Sequence, residues 1–117
     1  MKNPLSKKIG VLLIPVSDIE KARDWYCDLL GFPADGEIMF GHLYALPMKG
    51  TEIILDSKIY SEENTYKFPP FHINKEDIKE SYKYVKEKGV RSVSEIQHDH
   101  YFTFQDPDGN HLMVCEC

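Results

Sequence analysis

The residues that decide the fold are "PVSDIEKARDWYCDLLGF", positions 15–32. The run that leads into them, "IGVLLIPV" (9–16), is short, apolar and rich in β-branched residues, which reads as a buried strand. The period then changes. Ile19, Ala22, Tyr26 and Leu29 recur at helical spacing and define one apolar face. Ser17 stands in front as a helix cap with Glu20 as its partner, and Gly31 supplies the left-handed stop. On that helix Tyr26 belongs to the core and Trp25 to its margin. Three strand-like segments follow, "EIMF" (37–40), "HLYALPM" (42–48) and "TEIILDS" (51–57), the last two joined through Lys49-Gly50.

The order then repeats. "KIYSEENTYKFPP" (58–70) is polar, ends in two prolines and reads as a linker. "FHIN" (71–74) is a strand. "KEDIKESYKYVKEKG" (75–89) is a helix with Asn74 and Asp77 as its capping pair, Gly89 as its stop and Ile78, Tyr82 and Val85 as its buried stripe. "RSVSEI" (91–96), "HYFTFQ" (100–105) and "HLMVCEC" (111–117) complete a second set of strands. Gly31 lies 13 residues after Asp18, and Gly89 lies 12 after Asp77. Self-similarity at that period predicts an α+β chain of two tandem βαβββ modules, at about 7–58 and 70–117, with a linker at about 59–69.

Composition bounds the function. A chain of 117 residues is one domain with room for a single core. Fourteen Lys and Arg against 19 Asp and Glu give a net charge of −5, without the basic face that nucleic acid or an anionic membrane requires. No apolar run approaches the roughly 20 residues needed to span a bilayer. The apolar run at 11–16 is too short for a signal peptide and reads as a first strand. Three cysteines do not make a disulfide framework, so a reducing cytoplasmic setting is expected.

With the opening strand and helix, the middle "FHINKEDIKESYKYVKEKGV" and the closing "FTFQDPDGN" (102–110), the chain resembles the vicinal-oxygen-chelate superfamily, the glyoxalase, bleomycin-resistance and extradiol-dioxygenase group. The resemblance implies two modules that curl a mixed sheet around a cleft, helices outside, and a homodimer that completes it. It also implies a divalent metal held by four side chains, acting as a Lewis acid on two vicinal oxygens. In this sequence the positions it assigns to those ligands are Val11, seven before Asp18, Pro70, seven before Asp77, and Met113, four after Gly109. The fourth falls on Leu55, or on Asp56 if the register moves by one. Val, Pro, Met and Leu do not hold such a dication. The expected cofactor is therefore none, with zinc, nickel, manganese or iron as the alternative.

Strand residues two apart share a face. That alternation places Val11, Leu13, Leu55, His72, Asn74, Tyr101, Thr103, His111, Met113 and Cys115 on the cleft. The mix of apolar and a few polar groups suits a small, flat, partly polar organic molecule. One alternative is a metalloenzyme (lyase, isomerase, dioxygenase or thiol transferase) with a shifted site at Asp56, His72, His111 and Cys115. Another is a metal-free enzyme in which His72 or His111 is a general base. His98 and His100 read as loop residues, and the Cys115-x-Cys117 pair as small residues filling the end of a sheet.

Overall fold

The computed structural model describes residues 3–116. In the first half, strand β1 (Val11–Pro15) leads into helix α1 (Ile19–Leu30), then strands β2 (Leu43–Leu46) and β3 (Glu52–Asp56). The second half repeats this with β4 (His72–Asn74), α2 (Ile78–Glu87), β5 (Tyr101–Gln105) and β6 (His111–Cys115). Each half makes a three-stranded mixed sheet, ordered β1-β3-β2 and β4-β6-β5. In both, the strand before the helix runs parallel to the last strand, and the hairpin is antiparallel.

Both helices form where their periodicity places them. Ile19, Ala22, Tyr26, Cys27 and Leu29 are buried on α1, and Ile78, Ser81 and Val85 on α2, with Tyr82 packed partly against the core. The caps differ from expectation. Asp18, not Ser17, caps α1 and accepts the N–H groups of Glu20 and Lys21. Ser17 is held instead by Asp108, 91 residues away, which accepts its N–H and its hydroxyl. On α2, Asp77 accepts the N–H of Glu80, but its companion is Glu116, whose carboxylate accepts the N–H of Ile78, rather than Asn74. Gly31 ends α1 at φ +80, and both its N–H and that of Phe32 return to the Cys27 carbonyl. Gly89, at φ +73, follows the end of α2.

Two expected strands do not form, one of them keeping a single bridge. The segment at 37–40 pairs only through Met39 with Leu43, because Phe40 (φ 52) and Gly41 (φ 77) turn the chain at once. At 91–96 no strand forms. Ser94 donates its N–H to the Thr103 carbonyl, and its hydroxyl, rather than its backbone, accepts the N–H of Thr103. A side chain that replaces a ladder carbonyl interrupts regular pairing.

The core draws on both halves. Ile14, Val16, Leu46 and Leu55 from the first meet Phe102, Phe104 and Leu112 from the second, all buried in one cluster. Fully burying side chains of this size stabilises by about 1.5–3 kcal/mol each. The linker at 58–70 has no regular element. No helix among the described residues is long and apolar enough to cross a membrane.

Candidate functional site

Strand pairing fixes which side chains share a face. In the first sheet Leu12, Ile53 and Leu46 align across the strands, as do Ile14, Leu55 and Tyr44, and these rows face α1 and are largely or fully buried. The opposite face is open. It carries the rows Val11–Glu52, Leu13–Ile54–Ala45 and Pro15–Asp56–Leu43. Val11 and Leu13 are 43% and 41% exposed, on the face expected of them. Leu55 is not. It is fully buried on the helix side, and Ile54 holds the open-face position. A shift of one residue in register carries a side chain through the sheet, which puts Ile54 rather than Leu55 on the open face.

In the second sheet Phe102, Phe104, Leu112 and Val114 face the core. His72, Met113 and Thr103 align on the other face, beside the row Asn74–Cys115–Tyr101 and the pair His111–Gln105. His72 and Asn74 are exposed, Tyr101, Thr103, His111 and Met113 half-buried, and Cys115 buried. All seven residues expected on this half of the cleft therefore share one face. His98 and His100 sit exposed in the turn before β5. Of the Cys115-x-Cys117 pair, Cys117 lies outside the described residues.

The donors do not fit a divalent metal. Val11 and Met113 occupy ligand positions implied by the resemblance, and Ile54 occupies the strand position where Leu55 was expected. The shifted set also fails to converge. His111 Nδ1 donates to the Tyr66 carbonyl at 2.9 Å, and its Nε2 accepts from the Gln105 amide at 3.0 Å. Both ring nitrogens are thus already engaged within the protein. Asp56 belongs to the other sheet, where its Oδ1 accepts from His42 Nδ1 at 2.8 Å and from the Lys58 N–H. Among the described residues no three His, Cys, Asp or Glu side chains are grouped to hold an ion.

His42 was not anticipated. Counting back along the β2–β3 hairpin puts Leu43 opposite Asp56, which sets His42 beside that carboxylate. The pairing was therefore available in the sequence once the hairpin was in register. The carboxylate orients the ring through Nδ1, and no described residue bonds Nε2.

The closing turn, Asp106 to Asn110, joins the two halves. The Asp106 and Asn110 side chains are completely buried. Asp106 accepts from the Tyr26 hydroxyl at 2.5 Å, from the Asn110 side-chain amide, and from the backbone N–H groups of Asp108 and Asn110. Asn110 also donates to the Pro15 carbonyl at the end of β1 and accepts the Tyr66 N–H from the linker. The Tyr66 hydroxyl continues to the Leu13 carbonyl. Among the described residues no buried side-chain nitrogen or oxygen lacks a hydrogen-bond partner. Burial raises the Asp106 carboxyl above its usual range, although the Tyr26 and Asn110 hydrogen bonds pull it back. Burial first, and then the Asp106 charge, push the Tyr26 phenol well above its ordinary value.

Two capped βαββ units, each with a buried helix face and an open sheet face, and a buried Asp-Asn turn between them, define an α+β class of paired-module proteins. The chain belongs to the Glyoxalase/Bleomycin resistance protein/Dioxygenase superfamily, whose family model matches residues 8–114. It is similar to a glyoxylase-like domain-containing protein of Didymella fabae, 29% identical over 122 residues that cover 95% of this chain and 94% of the relative. Among solved structures it is similar to a superfamily member from Sphaerobacter thermophilus DSM 20745, with a TM-score of 0.70, 26% identity, and 96% and 98% of the two chains covered. TnmS3, an antibiotic binding protein from Streptomyces sp. CB03234, shares the fold with a TM-score of 0.71 at 23% identity, covering 98% of each chain.

Proposed function

We propose that this protein binds a small, flat, partly aromatic organic molecule against its open sheet faces without a metal ion. A second copy of the chain supplies the opposing wall, and the protein works in the cytoplasm. The observation that carries this reading is the open face itself. Val11 and Leu13, about two-fifths exposed, share this face with the half-buried Ile54. Tyr101, Thr103, Met113 and His72 give the second sheet an aromatic and hydrogen-bonding surface. Apolar surface of this kind gains about 25 cal/mol per Å² when covered. Fold alone does not choose a ligand; here the choice rests on the side chains, which offer stacking and hydrogen bonds but no chelating set.

The test combines metal analysis of the purified chain, sedimentation, and thermal shift against flat aromatic compounds. The expected result is a dimer without stoichiometric metal whose melting temperature rises with such a compound, the rise being lost in Leu13→Glu or Thr103→Glu. Stoichiometric zinc, nickel, manganese or iron that is lost in His72→Ala would overturn the reading, and a strict monomer would remove its second wall.

A further inference from the structure

A recess also lies beyond the open faces. A groove of about 750 Å³ runs between the two halves on their helix-facing side, within the size range of small-molecule sites. Its strand residues Leu12, Ile53 and Ile73 come from the core-facing rows, and Phe32 and Phe71 close its sides. The polar groups on it are Lys49, Thr51, His72 and Asn74, and no carboxylate lines it, although the chain carries a net charge of −5. The side chains of Lys49, His72 and Asn74 make no hydrogen bond or ion pair with any described residue. An apolar trough with one unpaired cation, an imidazole and an amide, and no acid, complements a single negative charge at one end of an apolar body. A dianionic phosphate, by contrast, calls for more than one cation.

We propose that this groove is a second ligand site and that it takes an amphipathic monocarboxylate: an acyl or aryl chain along the apolar walls, with its carboxylate met by Lys49. The groove shares His72 and Asn74, on the exposed strand β4, with the open face of the second sheet, whereas its apolar walls Leu12, Ile53 and Ile73 are the opposite side of the same strands.

The test uses the whole chain and decanoate below its micelle concentration, with decyltrimethylammonium as the matched cation, read by calorimetry and by amide chemical shifts. Decanoate binds one site, about tenfold or more tighter than the cation, and shifts the amides of Leu30, Ile53 and Ile73. Lys49→Glu, at an exposed position that folding does not need, weakens decanoate about tenfold while sparing the cation; Lys49→Gln gives an intermediate loss. Equal affinity for the two amphiphiles would overturn the proposal. So would shifts centred on Leu13, Ile54 and Thr103, which would assign decanoate to the open faces. Failure of decanoate to bind, with groove amides that broaden as protein concentration rises, would assign the groove to a second copy of the chain.

Discussion

The two halves share a backbone plan and differ in what their hairpin turns do. Strands pair in the same order and sense in each, and each helix is capped by an Asp followed by Ile. Yet the β2–β3 turn, around Lys49 and Gly50, is exposed, whereas the β5–β6 turn is buried through Asp106 and Asn110. The second turn holds the end of β1, the start of α1 and the linker at once. A repeated unit thus keeps its ladder while one copy's turn becomes the joint between the copies. The open faces diverge as well, aliphatic in the first half and aromatic and polar in the second.

The most direct way to break this comparison is at Asn110. Asn110→Ala leaves the Pro15 carbonyl and the Tyr66 N–H without partners inside the protein, and an unsatisfied buried group costs about 1–3 kcal/mol. We expect a loss of about 3 kcal/mol in urea unfolding for Asn110→Ala, against less than about 0.5 kcal/mol for Lys49→Ala in the other turn. Equal small losses would show that the second turn is not a joint.

The same turn predicts a pH dependence that the first cannot have. The folded Asp106 carboxyl has its pKa raised, with burial as the largest cause. The folded state therefore holds that proton more tightly than the unfolded chain does. Its contribution is present in full below the ordinary carboxylate value of 3.8 and is lost as pH rises through the higher folded value. Measured by urea unfolding, the stability of the wild type relative to Asp106→Asn should fall across that window. A difference that is flat or rises with pH would reverse the assignment.

These two predictions concern residues that were only partly legible in the sequence. The turn itself could be read, because an Asp-Pro-Asp-Gly-Asn run has few other uses. That its Asp and Asn are buried against Tyr26 and β1 could not, since those contacts span 80 and 95 residues. Helices, their stop glycines and the alternation of β1, β5 and β6 are local signals, and they placed nearly every open-face residue. Leu55 faces the core instead, because one residue of register in β3 inverts the face. Ser17 and Asp18 are both competent caps, and the choice between them was made by Asp108, far along the chain. The segments at 37–40 and 91–96 alternate like strands, but left-handed residues at Phe40 and Ser92 bend them away from their sheets.

The helix caps sharpen the comparison at smaller scale. Asp18 accepts two backbone N–H groups at the start of α1, and Asp77 accepts one, with Glu116 taking another. Loss of a cap costs about 1 kcal/mol. Asp18→Ala should therefore lower stability by about 1 kcal/mol, and Asp77→Ala by less, because Glu116 still satisfies the Ile78 N–H. Thermal unfolding of the two variants and of Asp77→Ala/Glu116→Ala checks this, the double variant falling below Asp18→Ala. If Asp77→Ala alone matches Asp18→Ala, Glu116 is not acting as a cap.

The smallest effect is expected where one helix finishes the other. Helix α1 has no basic residue in its last turn, so the negative end of its dipole goes unanswered from its own sequence. Helix α2 answers it. The Tyr84 hydroxyl donates to the Leu29 carbonyl at 2.7 Å, and Lys88 lies 3.2 Å from the Asp28 carboxylate. No such help reaches the end of α2, which closes on itself through the Gly89 N–H and the Lys86 carbonyl. Tyr84 is 41% exposed, so water replaces much of what Tyr84→Phe removes, and the loss should be about 0.5–1 kcal/mol. Lys88→Ala should cost less still, as exposed ion pairs do. The discriminating measurement is amide exchange at Gly31 and Phe32. If α2 finishes α1, Tyr84→Phe speeds exchange there while leaving Gly89 unchanged, and a uniform change at both helix ends would mean that the hydroxyl supports the whole fold instead.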